Sequence, residues 1–378
     1  MRKTNLKAAF NKRMAICHDV EHGRFNYIEA FPNSKTALAL IKNDASNTTI
    51  QLNLYLDKFI ADSKANNRPK THQNNNYRTE KYIRPLLGER CMKSIKVSEI
   101  KEWINKDLAH LANKTISEVL TPLRTAYRFA IEDKLITENP MDFVKNPNKE
   151  KCDEADPYTQ SEITKLMSTD TEREIERDAL TFAIWTGLRP SELLAVSLCD
   201  IDFEKRKLYV NRGVVRGVLA STKNDGSSRC IDLLDEAFDI LLNLVNRTDN
   251  FRFFKVKVLQ ANNRLFDDKD LQFIFTSSKS KSFWTDSESF DKMFVKPHCK
   301  AAGVRYRPIG QARHTYGSQL ITAGIPLNWI SKQMGHSSIK MLEKHYGRWM
   351  ESEMPDMAAQ VSRKLKQKQK QKSDNDPS

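Results

Sequence analysis

The chain has 378 residues, more than one hydrophobic core usually organises, so two or three domains are expected. Lys and Arg number 62 against 48 Asp and Glu, a formal charge of +14 that points to a polyanionic partner. The longest apolar stretches, such as residues 179–185, are far too short to cross a bilayer, so a membrane partner is not expected and nucleic acid leads.

The N-terminus is basic (Arg2, Lys3, Lys7, Lys12, Arg13) and carries no apolar run long enough for an export signal. Cys17, Cys91, Cys152, Cys199, Cys230 and Cys299 stand far apart, with no CxxC pair, so free thiols in a reducing cytoplasm are expected and no metal site is. Residues 25–31 read as a strand ended by Pro32-Asn33-Ser34, part of a small N-terminal segment over 1–48. From Thr49 the pattern turns helical: Leu52, Leu54, Tyr55, Phe59 and Ile60 line one face, and the polar run 66–70 breaks it. Three further helices are predicted at 77–87, 97–111 and 114–131, making an all-helical domain over 49–150. Asn139-Pro140 and the charged run 145–157 mark its end.

A mixed domain is expected over 156–355. Residues 161–167 and 174–185 read as helices, and 207–212, 214–220 and 228–233 as strands of one small sheet with a turn at Asn224-Asp225-Gly226. Helical patterns follow at 237–245, 286–302, 310–323, 326–334 and 339–345. Residues 356–378 form a basic tail in which Lys alternates with Gln, expected to be flexible.

Four signals in this second half fit one phosphoryl-transfer site. In Thr186-Gly187-Leu188-Arg189-Pro190-Ser191-Glu192-Leu193, Gly187 suits a helix end and Pro190 a helix start. That leaves Arg189 at a helix N-terminus, where a guanidinium can grip a phosphate, although an ordinary surface arginine reads the same way. Lys223, predicted at a hairpin tip, can protonate a leaving oxygen, yet lysine at an exposed turn is commonplace. Arg313 follows in a helix opening Gly310-Gln311-Ala312, and Met334-Gly335-His336 precedes Tyr346. Together these supply two cations for a phosphate, two proton-moving groups and a phenol to attack. A phenol titrates near roughly 10 and needs help to lose its proton near neutral pH.

The ordered set TGLRPSEL, the TK segment, ARHT and MGHSS followed by HYGRW resembles the tyrosine site-specific recombinases, the phage-integrase family, over roughly residues 50–350. The resemblance implies a multidomain, mainly α fold, with a helical, SAM-like core-binding domain followed by a mixed α+β catalytic domain carrying a small antiparallel sheet. It implies Arg189 and Arg313 as a phosphate clamp, Lys223 as general acid, His336 as proton-transfer or phosphate-bonding partner, and Tyr346 as nucleophile. The family usually has histidine three residues before its second arginine, where this chain has Gly310, so the group that deprotonates Tyr346 is left unidentified; His314, which also reads as a packing residue, and His345 are among the candidates. Glu192 is an accessory candidate, either orienting Arg189 or serving only as a first-turn acid. Lys70, Arg78, Lys81, Lys114, Arg124 and Arg128 are candidate DNA contacts of the helical domain, and residues 1–48 resemble a partial arm-binding module.

The function implied is integration or excision of a phage or other mobile element through a 3′-phosphotyrosine, a chemistry shared with type IB topoisomerases, without metal or other cofactor. The implied partners are double-stranded attachment-site DNA, three further copies in a homotetramer, an excisionase and a host DNA-bending protein, in a bacterial cytoplasm at the nucleoid. Two alternatives stand beside it: an Xer-like resolvase of the same family, and a non-catalytic DNA-binding regulator on the same fold, suggested by Gly310.

Overall fold

The computed structural model describes residues 2–22, 25, 27–31, 33–36, 50–147, 155–221, 229–248, 251–336, 338–343, 346 and 362. The chain divides into two compact units, Met1–Glu150 and Lys151–Ser378. The tail expected at 356–378, apart from Ser362, lies outside the described residues, as do the 224–226 turn, His345 and residues 148–154 of the expected linker.

In the first unit a helix spans Arg2–Glu21, and the segment read as a strand is instead a helical turn, Tyr27–Ala30. Aromatic spacing explains the correction: Tyr27 and Phe31 are four apart, their rings stand 5.3 Å apart, and the Phe31 amide donates to the Tyr27 carbonyl. The helix Leu52–Asn66 buries Leu52, Tyr55, Leu56, Phe59 and Ser63, an i, i+3, i+4, i+7 stripe. Pro69 opens the next helix, Pro69–Arg78, which runs on as a wider π-helical segment, Thr79–Gly88, around Pro85. A proline has no N–H to give the preceding turn, and a widened helix accommodates that loss. Val97–Lys106 and Asn113–Glu132 complete the unit, and Trp103, Leu120, Leu123 and Tyr127 close its core.

The second unit opens on Gln160–Ser168, capped reciprocally by Thr159 and Glu162, and on the buried helix Glu174–Thr186. Two sheets follow instead of one. The first joins β1 (Ile201–Asp202), β2 (Lys207–Val210) and β5 (Arg229–Asp232) in antiparallel order β1-β2-β5. The second has order β3-β4-β6-β7, from β3 (Arg212–Val215), β4 (Val218–Ser221), β6 (Phe254–Leu259) and β7 (Phe266–Leu271). Its β4 and β6 run parallel, and its other pairs antiparallel.

The predicted strand over 214–220 is thus two strands. Arg216 and Gly217 both have positive φ, 49° and 76°, as a two-residue hairpin turn with the right twist requires. The predicted hairpin around residues 224–226 is also corrected: β4 and β5 flank it but belong to different sheets, because β5 pairs with β2.

Helices Asp235–Asn246, Lys296–Ala301, Gly310–Thr322 and Leu327–Met334 complete the unit. Its main core gathers Phe182, Leu193, Leu208, Ile231, Phe275 and Phe290. A smaller cluster, Tyr316, Ile321, Ile330, Met334, Leu342 and Tyr346, lies beside the helix Gly310–Thr322. Among the described residues no helix is long and apolar enough to cross a membrane, and no group of His, Cys, Asp or Glu has metal-holding geometry.

Candidate active site

The turn after Glu174–Thr186 organises the site. Gly187 ends that helix in the left-handed region, and Arg189 is the N-cap of the short helix Pro190–Leu193. The Arg189 amide donates to Glu192 Oε2 at 2.9 Å and its Nη1 to Oε1 at 2.7 Å. Nη2 of Arg189 donates to the Gly335 carbonyl at 2.9 Å. The same turn receives the second arginine, because Arg313 Nη1 donates to the Gly187 carbonyl at 2.6 Å. Arg313 is buried, and that burial, with the Arg189 charge beside it, pulls its guanidinium down to about 9, still protonated at neutral pH.

Glu192 is buried against both Arg189 and Arg229. Burial alone would raise its pKa, but the Arg229 hydrogen bonds and the two guanidinium charges outweigh that and hold it at about 2. It is an ionised carboxylate at any working pH, and it accepts from both the amide and the Nη1 of Arg189.

Tyr346 is almost wholly buried, with its hydroxyl 3.0 Å from His314 Nδ1 and the two rings 5.6 Å apart. Burial raises the phenol well above its ordinary value, and the charge of Arg313 only partly opposes it. Gly317, one turn along from His314, makes the room: a Cβ there would stand 2.8 Å from the phenol Cζ. His336 follows Gly335, whose φ of 66° terminates the helix Leu327–Met334. The His336 amide donates to the Ser331 carbonyl at 2.9 Å. A Cβ on Gly335 would also fall within 2.9 Å of Arg229 Cδ, so that glycine serves both shape and closeness.

Arg189, Glu192, Arg313 and the His336 turn are therefore tied together, and Tyr346 is packed on the helix that carries Arg313. Lys223 lies outside the described residues. Gly310, at the position of the usual histidine, has open space: a Cβ there would meet only Pro190 Cγ, at 4.0 Å.

Sequence reading missed Arg229, Gln333 and Gly317. For Arg229 a signal existed, since it alternates with the inward-facing Ile231 at the start of a strand and so had to be buried and paired.

The six cations named on the helical unit divide. Lys114 and Arg128 are exposed, the latter 3.6 Å from Glu132, and Lys70 is partly buried. Lys81 is exposed, bonded to the Tyr77 hydroxyl at 2.8 Å and lying over the Tyr77 and Tyr82 rings. Arg78 is paired with Glu118, and Arg124 holds Asn146 Oδ1 and the Val144 carbonyl, so both are engaged within the unit.

Known proteins resemble this chain over most of its length. Residues 158–352 match the phage integrase family, residues 52–107 its N-terminal SAM-like domain, and residues 1–35 an arm DNA-binding domain. The chain is 25% identical to the prophage integrase IntR of Escherichia coli K12, over 96% of this chain and 91% of that protein. It is 24% identical to the ICEBs1 integrase of Bacillus subtilis, over 79% of each. The fold is shared with the Tn1549 transposon integrase in complex with a circular intermediate DNA, with a TM-score of 0.65 and 22% identity over 84% of this chain and 99% of that one. A lambda integrase dimer bound to a core site gives 0.61 and 17%, over 91% and 88%. The match to the family over more than half its length places this chain in the phage integrase family, the tyrosine recombinases, whose members break and rejoin DNA through a tyrosine-linked intermediate.

Proposed function

We propose that this recombinase integrates and excises a mobile element, with Tyr346 as its nucleophile. The observation that carries the reading is the 3.0 Å contact between the Tyr346 hydroxyl and His314 Nδ1, on the helix that also bears Arg313. Arg313 and Arg189 would bind the two non-bridging oxygens of the scissile phosphate and offset the charge that builds up on them in the transition state. The phenol oxygen bonds to phosphorus as its proton passes to His314, and the bond from phosphorus to the 5′ oxygen breaks as Lys223 protonates that oxygen. His336 bonds the phosphate beside Arg189. The product is a 3′-phosphotyrosine and a free 5′-hydroxyl. A 5′-hydroxyl of the partner strand then attacks the phosphotyrosine, and each proton returns along its path. Because the ester bond energy is retained in the protein–DNA link, this route requires neither nucleotide nor metal.

Exchange between two duplexes requires paired sites, and we assign the assembly as a tetramer on attachment-site DNA in the cytoplasm, with an excisionase and a host DNA-bending protein setting direction. The match of residues 1–35 to an arm DNA-binding domain supports this over an Xer-like resolvase. On the helical unit, exposed Lys81, Lys114 and Arg128 are the better-placed phosphate contacts, and Arg78 and Arg124 the poorer. A non-catalytic regulator is the second reading, and Gly310 is what favours it. Incubation with a nicked attachment-site duplex, whose short end diffuses away after cleavage, separates the two. The native chain is expected to leave a covalent adduct on a denaturing gel and Tyr346→Phe none; a native chain that forms no adduct supports the regulator.

A further inference from the structure

Arg229 stands between the two segments that carry Arg189 and His336. It opens β5, shortly after Lys223 in the chain. Its buried guanidinium donates Nη1 and Nη2 to the two carboxylate oxygens of Glu192, at 3.1 and 2.9 Å, and Nε to the main-chain carbonyl of Gln333, at 2.9 Å. Glu192 holds Arg189, and Gly335, just beyond Gln333, offers its carbonyl to the same arginine before the chain reaches His336. The strand grips this helix end again at Asp232, whose amide donates to Gln333 Oε1 at 3.0 Å and whose carboxylate accepts from Gln333 Nε2 at 2.9 Å.

We infer that Arg229 is the positioning residue that sets Arg189 and His336 in register with each other; the inference rests on reading those two as phosphate-binding groups. Two features separate this role from filling space. One is geometric: a planar fork with a further N–H on its shaft meets a carboxylate and a carbonyl at once, which an ammonium on a flexible stem cannot do in the same directions. The other is electrostatic. One carboxylate lies between two guanidinium groups, so the cluster keeps a net positive charge. The side chain of Arg229 is 6% exposed and that of Arg189 42%, so the inner arginine engages both oxygens of Glu192 while the outer one faces the solvent side. Without Arg229 the carboxylate would have Arg189 as its one cation and would compete with DNA for it.

The test uses the full chain and the nicked duplex, measuring single-turnover cleavage, DNA affinity and melting temperature. Arg229→Lys keeps the charge opposite Glu192 and is expected to fold, to bind DNA within about twofold of native because many other cations hold the backbone, and to cleave on the order of 10²-fold more slowly, as misplaced groups do. Guanidinium ion should restore part of the rate to Arg229→Ala. A Glu192→Gln, Arg229→Gln double variant should be no slower than the worse single one, since both act through Arg189. Arg229→Lys cleaving at the native rate overturns the inference, as does a loss of cleavage matched by an equal loss of binding or of melting temperature. Arg189→Ala tells this failure from that of the underlying reading: if it still forms adduct, the clamp itself is misassigned. If it is inactive while Arg229→Lys is native-like, only the role of Arg229 falls.

Discussion

His314 Nδ1 and the Tyr346 hydroxyl are 3.0 Å apart, and His314 directly follows the arginine whose guanidinium reaches Gly187. The proposed base and one arginine of the proposed clamp therefore ride on one helix, Gly310–Thr322, and any movement of that helix carries both. Burial keeps the phenol protonated at neutral pH, so attack requires an acceptor within hydrogen-bond reach. His314→Ala is expected to slow adduct formation by on the order of 10²–10⁴-fold while DNA affinity holds. Gel-shift and single-turnover measurements on one preparation check it; a native cleavage rate would hand the proton to another group.

Gly317 is expected to tolerate no side chain. A methyl there would stand 2.8 Å from Tyr346 Cζ. Overpacking costs roughly 1–3 kcal/mol, against a gain of about 1 kcal/mol when alanine replaces glycine in a helix, so the net change for Gly317→Ala should be a loss. Urea unfolding measures it. A more stable variant would mean that the tyrosine ring simply moves aside.

Glu192 sets the acid limb of stability. Its carboxyl is held at about 2 in the folded chain against 4.5 ordinarily, so its contribution is complete above pH 4.5 and is lost as pH falls toward 2. That contribution is on the order of 3 kcal/mol. Glu192→Gln should flatten the fall in unfolding free energy over this window. It should also destabilise the neutral protein by roughly 3–5 kcal/mol, because the buried Arg229 is left without an anion.

Asp291 works in the opposite sense. Burial raises its carboxyl to about 6, only partly offset by the Ile309 amide that donates to it at 2.7 Å, just before the helix bearing Arg313. A raised acid favours the folded state below its ordinary pKa of 3.8, and that advantage is lost as pH rises through 6. Asp291→Asn keeps an acceptor for Ile309 and removes the charge. Its melting temperature should exceed that of the native chain at pH 8, with the difference vanishing below pH 4. No difference at pH 8 would show that solvent or a cation already relieves the charge.

Much of this was legible in the residues because the relevant signals are local. The apolar stripe from Leu52 to Phe59 and the Gly187 stop and Pro190 start read from spacing, and the ordered Arg189, Arg313, His336 and Tyr346 from their resemblance to the family's motifs. What escaped depends on pairing across the chain. β7, Phe-Asp-Asp-Lys-Asp-Leu, has poor strand propensity and forms only by pairing along its length with β6, where Lys255 stands opposite Asp270 and Lys257 opposite Asp268. The 214–220 run hid its turn because Val214, Val215, Val218 and Leu219 all favour strands on either side of Arg216-Gly217. The contact of His314 with Tyr346 spans 32 positions, and no periodicity encodes it.

Both arginines of the proposed clamp donate to a peptide oxygen, Arg313 to that of Gly187 and Arg189 to that of Gly335. A peptide oxygen is present whatever amino acid stands at its position, so exchanging a side chain cannot delete either acceptor. It can only be moved, by bending the main chain that carries it. The aim of the two charges is thus inherited in part from the path of two helix ends, and a substitution that reshapes either end moves a charge without removing any of its partners.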